Sequence, residues 1–166
     1  MKILIHDFNQ QDFSALNINC DKDTVIISNN GTIRNCIGCF GCWVKTPGIC
    51  VLKDSYNNMG ELLSKCSELV IISKCVYGCY SPFVKNVWDR CISYLLPYFV
   101  HKNGETHHPK RYKNIFALSV HFYGADISDE EQKTAKALVE ANGTNFHPSK
   151  NNTYFYKNFK EIGGLI

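Results

Sequence analysis

The sequence predicts an α/β domain built on a parallel β-sheet covered on both faces. Three observations carry that expectation. Short aliphatic and β-branched runs alternate with segments of helical periodicity along the whole chain. The runs are close to continuously apolar, as strands buried on both faces must be. The 166 residues show no internal repeat, low-complexity stretch or linker, so they read as one domain large enough to bury a sizeable core.

The elements follow in order. Met1-Lys-Ile-Leu-Ile5 opens as a buried strand, and a short helix over about residues 10–16 comes after it. Thr24-Val-Ile-Ile-Ser28 is a second β-branched run, closed by the turn pair Asn30-Gly31. A cysteine-rich loop follows, and then Asp54 is placed to cap a helix carrying Met59, Leu62, Leu63 and Cys66 at helical spacing. Glu68-Leu-Val-Ile-Ile-Ser73 is the clearest strand and leads into Lys74-Cys-Val-Tyr-Gly-Cys-Tyr-Ser81. Pro82 sits at a helix start, where its missing N–H costs nothing, and the helix sets Phe83, Val87, Cys91, Tyr94 and Leu95 on one face. A polar loop over 103–111 precedes a fourth strand, Asn114 to Val120. Ser128-Asp-Glu-Glu131 is a capping box for a helix that Asn142-Gly143 ends, and Thr153 to Tyr156 is the fifth strand. Ligands of such sheets bind outside the carboxyl ends of the strands, which directs attention to residues 6–11, 29–36, 74–81 and 121–125.

Bulk composition excludes several classes. The 18 Lys and Arg against 15 Asp and Glu leave a net charge of +3, too little to indicate a nucleic acid or a membrane surface as partner. The N-terminal stretch lacks the long apolar core of a secretory signal, and no run approaches the roughly eighteen apolar residues of a membrane span. The expected compartment is therefore the cytoplasm, where thiols stay reduced. Nine cysteines, an odd number, fit a disulfide framework poorly. They divide by position: Cys20, Cys66 and Cys91 fall in apolar patterns and read as core, Cys75 and Cys79 flank the loop after the third strand, and four crowd between positions 36 and 50. His107-His108 reads as a solvated turn, and Leu95, Leu96, Tyr98 and Phe99 as core or as a dimer interface. There is no Ser-His-Asp arrangement, P-loop or dinucleotide fingerprint.

The segment Cys36 to Arg90 resembles the flavodoxin-like, NADPH-dependent FMN reductase family. The resemblance is carried by the cysteine loop running into Lys53-Asp54, then by Val76-Tyr77-Gly78, Lys85 and Asp89-Arg90, over about a third of the chain. It implies a flavodoxin-like three-layer fold with strand order 2-1-3-4-5 and an FMN at the strand ends, reduced by NAD(P)H and passing electrons to a small-molecule acceptor. Carried over residue by residue, Cys75, Val76, Tyr77 and Gly78 would face the flavin ring, as would His121, Phe122, Tyr123 and Gly124 after the fourth strand. A homodimer is a further expectation from the resemblance. The phosphate position departs from the family. Where a Gly/Ser/Thr/Asn-rich loop would cradle the phosphate, this chain reads His6-Asp-Phe-Asn-Gln-Gln-Asp12, with no glycine and two acids that repel a phosphate. His6, Asn9 and Gln10 remain as candidate donors. That loop also motivates a different class of function, a flavodoxin-fold module that binds something other than FMN.

Cys36, Cys39, Cys42 and Cys50 have the spacing C-x2-C-x2-C-x7-C, and Gly38 and Gly41 between them allow a tight wrap. Four such thiolates are the ligand set of a four-iron four-sulfur cluster, close to the compact motif of iron-sulfur flavoproteins. Zinc, a redox dithiol, or small thiols packed in a structured loop are the other readings of the same residues.

Overall fold

The computed structural model describes every residue except Asn19, Asn103, Leu165 and Ile166. β1 (Lys2–His6) leads to α1 (Gln10–Ala15), which the Asn9 side chain caps by accepting the Asp12 amide at 2.8 Å. β2 (Thr24–Ile27) follows, and the cysteine loop carries one unforeseen helical turn, α2 (Gly41–Val44). α3 (Met59–Ser64) begins after Asn58 with no side-chain cap, so Asp54 does not cap it as predicted. Asp54 lies a turn upstream and spends its carboxylate on Arg90. β3 (Glu68–Lys74) and α4 (Pro82–Arg90) match their predicted starts, and α4 continues as a 3-10 turn over Cys91–Tyr94.

Much of the predicted polar loop is an antiparallel hairpin, β4 (Val100–Lys102) and β5 (Glu105–His107), with Val100 opposite His107. β6 (Ala117–Tyr123) starts and ends later than the run 114–120 suggested, because His121, Phe122 and Tyr123 go on pairing with Ile72–Lys74 on one side and Tyr154–Tyr156 on the other. α5 (Asp129–Phe146) opens with the predicted capping box but runs straight through Asn142-Gly143. Gly143 lies under the Asn151 side chain, whose amide donates to the Val139 carbonyl at 2.8 Å. The glycine therefore serves close approach, and the helix ends only at His147, in the left-handed conformation. β7 (Lys150–Tyr156) completes the sheet.

The five long strands pair in parallel in the order β2-β1-β3-β6-β7. With the hairpin left out of the count, this is the order 2-1-3-4-5. Alternate residues of the strands bury opposite faces. Ile3, Ile5, Leu69, Ile71, Leu118, Val120 and Phe122 enter the larger core with residues of α3, α4 and α5. Leu4, Val70 and Ile72 pack on the other side with Phe8, Leu16 and Ile162. That second side is not covered throughout, since Ser119, His121, Asn152, Tyr154 and Tyr156 border an open hollow of about 460 Å³ over β6 and β7. Among the described residues no helix is long and apolar enough to cross a membrane.

Candidate functional site

The carboxyl ends of β1, β3 and β6 meet at one edge of the sheet, and two loops shape that edge. After β3, Val76 and Cys79 exchange both backbone hydrogen bonds at 2.9 Å around Tyr77 and Gly78, whose φ values of 51° and 73° make a type I′ turn. Tyr77 is 88% exposed and its amide makes no hydrogen bond among the described residues. A Cβ on Gly78 would lie 2.7 Å from Thr134 Cβ and 2.9 Å from the Glu131 carbonyl, so the turn is pressed onto the first turns of α5. Gly78→Val is therefore expected to destabilise the fold by about 2–4 kcal/mol, through backbone strain and overpacking together. A urea titration checks this, and an unchanged midpoint would show that the turn is not docked. Cys75 and Cys79 are half-buried against the core, and burial pushes the Cys75 thiol up.

The other residues assigned to the flavin edge divide. Tyr123 and Gly124 reach it, with the Tyr123 carbonyl accepting the Cys75 amide and the Gly124 amide donating to Tyr156. His121 and Phe122 lie inside the sheet, a correction to their assignment to the following loop. Phe122 is fully buried beside Tyr80 and Phe155. His121 faces the opposite side, bonded to the Tyr156 hydroxyl at 2.9 Å and stacked on Tyr154.

At the end of β1, Asp7 bridges the three strands. One carboxylate oxygen accepts the Lys74 amide at 2.8 Å and the other accepts the Tyr123 hydroxyl at 3.0 Å. Burial, and then the Asp7 charge, push the Tyr123 phenol up, so it stays protonated and donates. Phe8 is buried against Tyr123 and Phe159. His6 is buried too, stacked on Phe13 at 4.1 Å, with Nδ1 accepting the Phe8 amide.

The cysteine loop lies elsewhere. Cys36, Cys39, Cys42 and Cys50 all line one cavity of about 570 Å³, together with Trp88 and Phe146 of α4 and α5. Among the described residues no three His, Cys, Asp or Glu side chains are placed to hold a metal ion. Burial, followed by the neighbouring Cys50 and Cys36, pushes the Cys42 thiol up. Both this cavity and the Tyr77-Gly78 turn touch α5, but Thr134 at the turn and Asn145 at the cavity are roughly 16 Å apart along the helix axis. Cys66 and Cys91 are buried and Cys20 packs at the edge of the smaller core, as their patterns suggested.

The predicted turn His107-His108 is part of the cavity's surroundings instead. His107 is buried and bonded to Asn145 and Glu105, while the His108 ring contacts Trp43 and Phe99. Leu95 is buried, whereas Tyr98 and Phe99 are exposed and do not belong to the core. Sequence reasoning missed Asp54 with Arg90 as the clasp of the loop, and Asp7 as the bridge at the strand ends. The two acids and the missing glycine of residues 6–12 are the available signal for Asp7.

No protein-family model and no curated protein matches this chain. Among solved structures, general stress protein 14 from Treponema denticola, in complex with FMN, superposes with a TM-score of 0.52 at 13% identity, over 93% of this chain and 84% of that one. A thermophilic tryptophan halogenase, described as from Streptomycin violaceusniger, superposes with a TM-score of 0.50 at 9% identity, over 94% and 85% of the two chains. The fold is flavodoxin-like. Identities this low speak to the fold and to nothing finer.

FMN, which that fold and the family resemblance imply, meets two unlike surfaces here. The exposed Tyr77 ring and the turn around it suit a planar ring system. The end of β1 does not suit a phosphate, because the Asp7 carboxylate stands there and takes the Lys74 amide and the Tyr123 hydroxyl for itself.

Proposed function

We propose that this chain is a flavin-dependent oxidoreductase that takes electrons from NAD(P)H and passes them to a small-molecule acceptor, with the isoalloxazine ring held against Cys75–Gly78 and Tyr123–Gly124. The observation that carries this is the exposed aromatic side chain of Tyr77, set on a left-handed turn at the carboxyl end of β3. Ligands of doubly wound sheets bind at that edge, and an aromatic face stacks on a planar ring. The flavin supplies the redox chemistry when bound, and the protein binds and orients it.

Lumiflavin, the ring without a side chain, tests this reading most directly. Its fluorescence is expected to be quenched saturably by the protein, and Tyr77→Ala to weaken binding about fivefold, the worth of one aromatic contact. NADPH consumption in the presence of flavin and dioxygen is expected to follow the bound fraction. The bridging of three strand ends by Asp7 favours a second reading, a flavodoxin-fold module that binds no flavin. Absence of saturable lumiflavin quenching up to millimolar protein would decide for it.

A further inference from the structure

We infer that Asp7 is a specificity-determining residue that makes this site prefer a flavin with an uncharged side chain, of the riboflavin class, over its phosphate ester. The inference rests on the flavin reading above and deepens it. Three features of the end of β1 lead to it.

The donors of the neighbouring strand ends are spent. A phosphate arriving there needs N–H and O–H groups aimed at it. The Lys74 amide and the Tyr123 hydroxyl both end on Asp7, at 2.8 and 3.0 Å. The candidate donors of the loop are engaged as well: the Asn9 amide donates to Asp12 at 2.8 Å, and its oxygen accepts the Asp12 backbone N–H. His6 lies under Phe13 and accepts from Phe8. Of the three, Gln10 alone has no such bond among the described residues.

The charge has the wrong sign. Asp7 and Asp12 both carry negative charge on this loop, and burial holds the His6 imidazole down to about 4, so it is neutral at pH 7 and offsets neither. Lys74 contributes its amide, but its side chain is exposed and screened by solvent.

Space is taken too. Phe8 packs on Tyr123 and Phe159, with ring centroids 5.1 and 5.3 Å away, and its Cβ stands where a glycine would let an anion approach the backbone closely. A polyol side chain meets none of these objections. Its hydroxyls donate to the remaining lone pairs of the Asp7 carboxylate, where a phosphate is repelled.

The test compares riboflavin with FMN by fluorescence titration of the same protein preparation at low ionic strength. Riboflavin is expected to bind at least about tenfold more tightly than FMN, because a dianion a few ångströms from a carboxylate loses at least that much at surface dielectric. The ratio is expected to shrink as salt is raised to 0.5 M, a measurement on the wild-type chain that needs no variant. Asp7→Asn, which keeps one acceptor oxygen and removes the charge, is expected to shift the FMN-to-riboflavin affinity ratio about tenfold in favour of FMN. FMN binding as tightly as riboflavin, or a ratio unmoved by both salt and Asp7→Asn, would overturn the inference and leave the flavin reading standing. Failure of lumiflavin, riboflavin and FMN alike would overturn both.

Discussion

Asp54→Ala is expected to cost about 3–5 kcal/mol of folding stability, because it breaks a buried ion pair. For a domain of this length that lowers Tm by roughly 10 °C, measurable by thermal unfolding. The reason is what the substitution leaves behind. Arg90 is fully buried, and all four of its terminal N–H groups are placed: two reach the Asp54 oxygens at 2.8 and 2.9 Å, one the Arg34 carbonyl at 2.7 Å and one the Leu52 carbonyl at 3.2 Å. Removing Asp54 strands a guanidinium that cannot shed its charge, and desolvated ions are far more expensive unpaired than paired. Burial alone would push the Asp54 carboxyl up, but the Arg90 hydrogen bonds and the amides of Arg34 and Tyr56 together hold it below the usual carboxylate range. The double variant Asp54→Leu with Arg90→Met removes both charges and is expected to be more stable than Asp54→Ala. A loss under 1 kcal/mol for Asp54→Ala would mean that water reaches Arg90 readily.

The clasp also explains how an irregular loop is held. Arg34 and Leu52 are tied to the same guanidinium, so both ends of the cysteine segment are pinned to the last turn of α4. Trp43 anchors the middle by donating to the Leu95 carbonyl at 3.0 Å. Between these points the chain has one helical turn and little regular structure, and Leu52 and Arg90 of the clasp line the cavity. In Asp54→Ala the Cys42 thiol, now buried, is expected to react faster with a thiol reagent than in the wild-type chain.

What could be seen in the sequence follows from how far each interaction reaches along the chain. β1 and β3 are legible because a run of buried aliphatics states its own burial, and β2, at the sheet edge with Ile26 exposed, because its residues are β-branched. The capping box at Ser128 was legible because its two partners are three residues apart. Asp54 looked like a helix cap by the same local logic, yet its partner is Arg90, and nothing beside Asp54 announces that. Gly143 looked like a helix stop until Asn151 on the next strand was seen to need the space over it. The family resemblance places His121 and Phe122 in a loop, whereas two neighbouring strands keep β6 extended through both. At the candidate site the acids and the missing glycine of residues 6–12 were visible, but not that Asp7 would satisfy donors from β3 and β6.

Between pH 6.5 and 4 the protein is expected to lose stability steeply, because of two histidines. His6 and His121 are both almost wholly buried, and burial lowers each to about 4, with the Lys2 charge adding to the effect at His121. Their neutral forms are built into the packing. His6 Nδ1 accepts the Phe8 amide, its ring lies flat on Phe13, and Nε2 has no partner among the described residues. In the unfolded chain each imidazole titrates near 6.5. Through the window from 6.5 down to 4 the unfolded state therefore binds protons that the native state does not, so stability is full above the window and falls as pH drops through it. Each histidine is worth about 3 kcal/mol by the bottom of the window. Together they remove about 6 kcal/mol from a domain whose total stability is on the order of 5–15 kcal/mol, so unfolding in mild acid is the expected result. Urea midpoints measured at half-unit steps of pH give the slope. His6→Phe keeps the stack on Phe13 and removes one of the two protons, so its stability is expected to change with pH about half as steeply as that of the wild-type chain. Equal slopes would show that His6 takes up its proton as readily in the native state as in the unfolded chain, with water reaching it beneath α1.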